Sequence, residues 1–181
     1  MGADDAYIIA DDALLGADVT LTAEVLAAAL RKQDYDLVVL GTASSDGGGG
    51  VMAGLLAELL GWPAIANATD VALENETLTA TQVSDHATLT LEAQLPALVA
   101  VSDEYPDARF PNFKGLMAAK KKELHTVTLA ELGVDAEDFA RARAIMVDVE
   151  KRPARERGEI IDYGPNAVGQ LVDFLAEKHY I

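Results

Sequence analysis

The stretch "VVLGTASSDGGGGVMAGLLAELLGW", Val38 to Trp62, passes without a break from an apolar run through four consecutive glycines into a run of helical periodicity. The apolar part, "DLVVL" from Asp36 to Leu40, has the unbroken character of a central parallel strand covered on both faces. The part after the glycines is an amphipathic helix. A helix N-terminus carries unpaired backbone N–H groups and partial positive charge, and a glycine-lined approach lets an anionic phosphate come close to them. In an open parallel sheet, ligands bind at the carboxyl ends of strands, which is where this loop sits. By itself the pattern fits neither G-x-G-x-x-G nor the Lys-Ser/Thr ending of a P-loop, and a flexible surface connection is the plainer alternative. Asp46 either caps the following helix or hydrogen-bonds a ligand.

Working outward, "AYIIA" (Ala6 to Ala10) is a short strand, and "TLTAEVLAAALRKQ" places Leu21, Val25, Leu26, Ala29 and Leu30 at helical spacing, with Thr20 or Thr22 as N-cap. Strand, helix, strand, glycine loop, helix is the opening of a doubly wound α/β sheet. Past Gly61 the segments "IANATDVAL", "TLTATQV" and "ATLTLEAQ", separated by "ENET" and "SDHA", predict an antiparallel ribbon. Another buried strand, "PALVAVS", follows, and then a loop with two prolines and two phenylalanines, "YPDARFPNFK" from Tyr105 to Lys114. "GLMAAKKKELHTVTL" predicts a short helix and a strand. The predicted organisation is an α/β domain over 1–128 and, over 129–181, a weakly patterned arm that closes on a helix with Val168, Leu171, Val172 and Leu175 on one face.

Composition narrows the function. The 181 residues carry a net charge of −16, with acidic residues spread along the chain, so a basic face for nucleic acid is lacking. Such a surface suits a cytoplasm of very high salt, a halophilic source, as well as an ordinary acidic bacterial protein. No apolar run approaches the roughly 20 residues that span a bilayer and the start has no signal-like stretch, so membrane insertion is not expected and the expected location is cytoplasmic. Cysteine is absent, which removes disulfides, thiolate metal sites and cysteine nucleophiles, and leaves any redox role to a bound cofactor. His86, His125 and His179 are scattered without a second histidine at metal-ligand spacing. Ser44 and Ser45 lack the Gly-x-Ser-x-Gly setting of a nucleophile. No catalytic residue is expected. Lys120, Lys121 and Lys122 are either a solvated helix end or a contact for an acidic partner. Phe110 and Phe113, in a proline-bounded loop that is an awkward place to bury them, read as exposed anchors; Trp62 reads as core.

The loop "GTASSDGGGG", the segment "LEAQLPALVAV" and above all "RFPNFKGLMAAKKKELHTVTLAELGVD" resemble the β subunits of the electron-transfer flavoproteins. The start, "GADDAYIIADDALLGADVTLTAEVLAAAL", fits the same family, so the resemblance runs in order from Gly2 to Asp135. It implies a Rossmann-like adenine-nucleotide-binding fold of the HUP kind and a heterodimer with an α subunit that holds most of a flavin adenine dinucleotide (FAD). It further implies adenosine monophosphate (AMP) in the β subunit, or a second flavin in relatives that bifurcate electrons. By the same resemblance the nucleotide loop is Gly41, Ser44, Asp46, Gly47, Gly50, Val51 and Met52. Arg109, Phe110, Phe113 and Lys114 lie in the loop that docks flavoprotein dehydrogenases, which pass electrons on toward a quinone-linked acceptor. Three departures stand out. The family's usual chain is longer at the N-terminus, so that a first strand and part of the nucleotide pocket are expected to come from elsewhere or from a longer form. Many relatives carry polar side chains at the positions of Gly50, Val51 and Met52. The family's Asn-Glu-Pro-Arg reads Pro106-Asp107-Ala108-Arg109 here. The rival expectation is an adenine-nucleotide-binding module, or a scaffold with an empty site, without electron transfer.

Overall fold

A computed structural model describes residues 2–138, 140–141, 143–155 and 157–181. The chain divides into two units, Met1–Met146 and Val147–Ile181. The division lies beyond the 128/129 boundary expected from composition, because Leu129 and Leu132 are buried in a cluster with Leu21 and Val25 of the first unit.

The first unit contains β1 (Ala6–Ile9), α1 (Val19–Leu30), β2 (Leu37–Gly41), α2 (Met52–Leu60), β3 (Ala64–Glu74), β4 (Thr77–Val83), β5 (Thr88–Gln94), β6 (Ala97–Val101), α3 (Phe113–Ala119), β7 (Leu124–Val127) and α4 (Leu129–Leu132). Five strands form one sheet in the order β2-β6-β3-β4-β5, and β1 and β7 form a separate parallel pair. β2, β6 and β3 are parallel, whereas β3, β4 and β5 form the antiparallel ribbon expected from their Thr- and Val-rich pattern. The fold is therefore α/β with mainly parallel pairing, of the Rossmann-like kind.

The central parallel strand is not the one its apolar run singled out. β2 lies at the edge of the five-stranded sheet, and β6 sits between β2 and β3 with Ala97, Leu98, Val99 and Ala100 all buried. An unbroken apolar run records what a strand can bury, and its neighbours decide what it does bury. On one side of β6, Leu98 joins Val38, Ala27 of α1 and Leu56 of α2. On the other, Val99 joins Ile65, Leu78 and Ala93 from the ribbon. Trp62 is half-buried against the α1–α2 cluster.

Local chemistry explains the boundaries. α1 is capped by Asp18, whose carboxylate accepts from the Leu21 N–H at 2.8 Å; the expected caps, Thr20 and Thr22, already lie inside the helix. Asp18 also accepts from the Ala144 N–H at 2.6 Å, and Glu24 accepts from Arg143 Nη2 at 2.8 Å, so residues 143–144 are tied along α1. β3 and β4 meet through Asn75 and Glu76, both at positive φ (48° and 64°), the geometry that matches the twist of a two-residue hairpin. α4 has a full capping box between Thr128 and Glu131.

The second unit contains α5 (Ala167–Glu177), with no buried residue. Its expected apolar face is present in spacing, but Val168, Leu171 and Val172 remain exposed. No helix among the described residues is long and apolar enough to cross a membrane.

Candidate functional site

β2 and β6 run side by side in the same direction, and Gly41 is paired with Val101 at their carboxyl ends. Thr42 fastens the two ends: its Oγ1 donates to the Val101 carbonyl at 2.9 Å and lies 3.1 Å from Oδ1 of Asn67, a left-handed residue (φ 59°) beside the bulge in β3. From this platform the glycine loop rises and returns into α2.

The loop forms one wall of a cleft of about 580 Å³. All seven residues assigned to the nucleotide loop line it: Gly41, Ser44, Asp46, Gly47, Gly50, Val51 and Met52. The opposite wall is the start of α1, with Ala17, Val19, Thr22 and Leu26. Sequence reasoning missed that wall. The only signal for it was the strand–helix–strand order, which brings the first helix beside the loop after the second strand.

Three features give the cleft its chemistry. The N-cap of α2 is Val51, which has no side-chain oxygen to offer, so the helix begins without a side-chain cap for its first-turn N–H groups. Gly48 and Gly50 have φ of 59° and 62°, a backbone that residues with a Cβ adopt at a cost of about 1–2 kcal/mol. At Gly41, which lines the cleft, an added Cβ would meet nothing within 4 Å, so the backbone there faces open space. Asp46 caps nothing in α2, which begins well downstream. Its carboxylate is held below the usual carboxylate range by hydrogen bonds from the Ser44 hydroxyl and the Gly47 N–H. It is thus an ionised acceptor at neutral pH, in a lining that contains no Lys or Arg.

The second set of candidates lies after β6. Arg109, Phe110 and Lys114 are exposed, Phe110 at 97% of its surface. Phe113, expected in the loop, is the first residue of α3 and is 78% exposed. α3 is capped by Asn112, whose Oδ1 accepts from the Gly115 N–H at 2.7 Å. Leu116 and Met117, at three and four positions from Phe113, fall on the same helical face and are also exposed, at 49% and 43%. This apolar strip was legible only in part, since the run "GLMAA" reads equally well as core. Lys122 pairs with Asp4 at 3.2 Å, and His125 stacks on Tyr7 with ring centres 4.7 Å apart, so neither is free for another task in this arrangement. Among the described residues no group of His, Cys, Asp or Glu could hold a metal ion.

Fold and site together define a Rossmann-like α/β protein with a backbone-lined cleft at the carboxyl ends of its parallel strands. The family model described as the electron transfer flavoprotein domain matches residues 1–132. The electron transfer flavoprotein subunit beta of Mycobacterium leprae is 40% identical over 185 residues, covering all of this chain and 69% of that protein. The corresponding subunits of Megasphaera elsdenii and Bacillus subtilis are 32% and 31% identical, each over 98% of this chain and 69% and 70% of their own lengths. The chain belongs to the electron transfer flavoprotein family, among its β subunits.

Proposed function

We propose that the chain is one half of a heterodimeric electron carrier, paired with an electron-transfer flavoprotein α subunit. In this reading it binds an adenine nucleotide, AMP, in the glycine-loop cleft and docks flavoprotein dehydrogenases through 109–117, on the way to a quinone-linked acceptor. The observation that carries the nucleotide assignment is the convergence of all seven loop residues on one cleft beside the uncapped N-terminus of α2. Its volume lies within the roughly 300–1,000 Å³ typical of small-molecule sites.

The residues fit a nucleotide through backbone chemistry. Phosphate oxygens accept from the first-turn N–H groups of α2, where the helix dipole favours negative charge. Asp46, ionised and without a basic partner in the cleft, repels phosphate and suits a ribose hydroxyl as donor. The apolar Val19, Leu26 and Met52 side chains supply a surface for the base. The FAD of the carrier is held mainly by the α subunit; when bound, it supplies the electron chemistry that no side chain here provides. This chain contributes placement and recognition and is not itself an enzyme.

Docking rests on the exposed Phe110, Phe113, Leu116 and Met117 with Arg109 and Lys114 beside them, the combination of apolar anchors and flanking cations found at interface hot spots. In a chain of net charge −16 these two cations also offer a local contact for an acidic partner surface.

The test is to express the chain with an α subunit at high salt, purify the complex, denature it and identify the released cofactors by mass spectrometry. One FAD and one AMP per heterodimer is the expected result, and two flavins would place a flavin instead of AMP in the cleft. A chain that retains neither cofactor nor partner overturns the reading.

A further inference from the structure

Thr42 is the first residue past β2, whose pairing with β6 ends at Gly41 and Val101. Its side chain prolongs that pairing where the backbone leaves it: the single hydroxyl proton is shared between the Val101 carbonyl at 2.9 Å and the Asn67 Oδ1 at 3.1 Å. Asn67 holds a left-handed backbone, φ 59°, a region that asparagine enters more readily than most residues with a Cβ. It sits between Ile65 and Ala68, where the pairing of β3 with β6 shifts register, and the Ser102 N–H donates to the Ala68 carbonyl at 2.9 Å. A sparsely populated backbone conformation persists where the surroundings over-determine it, and such residues gather at functional sites.

Thr42 also meets the far end of the glycine loop. A Cβ added to Gly50 would lie 3.8 Å from the Thr42 carbonyl oxygen, so the residue before the α2 N-cap, Val51, rests against the residue at which the loop departs. We propose that Thr42 is a positioning residue of the cleft. With Asn67 and Val101 it fixes where the glycine loop leaves the sheet, and through the contact of its carbonyl with Gly50 it sets where the first-turn N–H groups of α2 stand. The inference rests on the reading of the cleft as a nucleotide site. Its hydroxyl is spent inside the protein, so Thr42 acts on phosphate through the loop, where hydrogen bonds weaken steeply once donor and acceptor are misaligned. Asn67 lines a different cavity, of about 230 Å³, with Ser102 and Asp103, and its influence on the cleft runs through Thr42.

The experiment titrates the full chain, co-expressed with an α subunit and freed of nucleotide, with AMP and with adenosine in a calorimeter. Thr42→Val keeps the branched shape and removes the hydroxyl. AMP affinity should fall about threefold to tenfold, the range that one net hydrogen bond supplies, whereas adenosine, with no phosphate to place, should bind as before. Thr42→Ser returns the hydroxyl and should return the affinity for AMP. Asn67→Gly keeps the left-handed backbone without the amide and should weaken AMP in the same way; added to Thr42→Val it should cost less than about a further twofold, because both changes open one tie. AMP affinity unchanged in Thr42→Val, equal losses for AMP and adenosine, no recovery in Thr42→Ser, or fully additive losses in the double variant would each overturn the inference and leave the cleft reading standing. An unaltered protein that does not bind AMP would overturn both.

Discussion

Two neighbouring parallel strands, β2 and β6, each end in a loop of similar length that leads into a short helix, yet the two loops are built on opposite plans. After β2 the side chains are stripped away, four glycines run together and α2 begins without a side-chain cap. After β6 the loop carries side chains throughout, charged ones together with Tyr105 and Phe110, two prolines stiffen the path, and Asn112 caps α3. Under the proposed function, the difference lets one scaffold serve two kinds of recognition. An anion is held by backbone donors, which must be left unspent and unshielded. A protein surface is held by buried apolar area, which requires side chains presented on a helix whose own donors are already satisfied.

The comparison can be broken most forcefully at its shared foundation. Leu98 is fully buried in β6, beneath both loops, and Leu98→Ala should cost about 2–5 kcal/mol by the transfer and cavity terms of a large-to-small core change. Denaturant unfolding measures the loss, and nucleotide and dehydrogenase binding should fall together. A loss in one alone would mean that the two loops do not depend on the core that β2 and β6 share through Val38 and Leu98.

A pair of substitutions should separate the two functions. Phe113→Ala removes an exposed anchor and should weaken dehydrogenase docking by about tenfold, with unchanged melting and nucleotide content. Gly50→Val forces a β-branched residue to a φ of 62°, at about 1–2 kcal/mol, and should weaken nucleotide binding by about tenfold while docking persists. Calorimetric titration with AMP and surface binding to a dehydrogenase give the two readouts. Loss of nucleotide in Phe113→Ala would show that the docking loop is a structural part of the cleft.

A finer test makes one loop imitate the other. Val51→Asp gives α2 the cap it lacks, which should raise stability by up to about 1 kcal/mol and weaken nucleotide binding severalfold, since a fixed carboxylate competes for the same N–H groups. Unchanged affinity would remove the α2 terminus from the site.

The smallest effect concerns acid. The Leu21 and Ala144 N–H groups hold the Asp18 carboxyl below the usual carboxylate range, and Glu24, although burial works to raise it, is held low by Arg143 and Arg141. Both groups therefore bind protons more weakly in the folded chain than in the unfolded one. Their stabilisation is complete above the ordinary carboxylate values of about 4 and is lost as pH falls through the lower folded values. Thermal unfolding followed from pH 6 to pH 2 should show a smaller acid-induced loss in Asp18→Asn than in the unaltered chain. Equal losses would mean that the tie between 143–144 and α1 does not contribute.

Much of this was legible locally. The Thr- and Val-rich segments with turn residues between them became the ribbon, and "AYIIA", "PALVAVS" and the run that follows the four glycines formed the expected strands and helix, because side-chain period and turn chemistry act within a few residues. Other features depend on partners far away in the chain. Asp18, not a threonine, caps α1, and its carboxylate also accepts from the distant Ala144 N–H. α4 joins the first unit because Leu129 and Leu132 find Leu21 and Val25, a match between residues more than a hundred positions apart.

The candidate sites divide in the same way. The glycine loop stood out as bare backbone before a helix, with a flexible surface connection as the plainer reading of it, but the α1 wall that lines the same cleft did not stand out. Exposed Phe110 and Phe113 could be argued from the prolines around them, whereas Leu116 and Met117 look like core until the helix is seen to cover nothing.

By itself, then, the sequence determined the elements, the charge, the absence of thiol chemistry and the family, because these are properties of residue type and local order. Only the tertiary structure decided which strand is central, which wall faces the glycine loop, which apolar residues stay in water and where the sheet is left open. Each of these depends on what packs beside a residue, and the hydrophobic effect that drives packing has no direction of its own until the neighbours are in place.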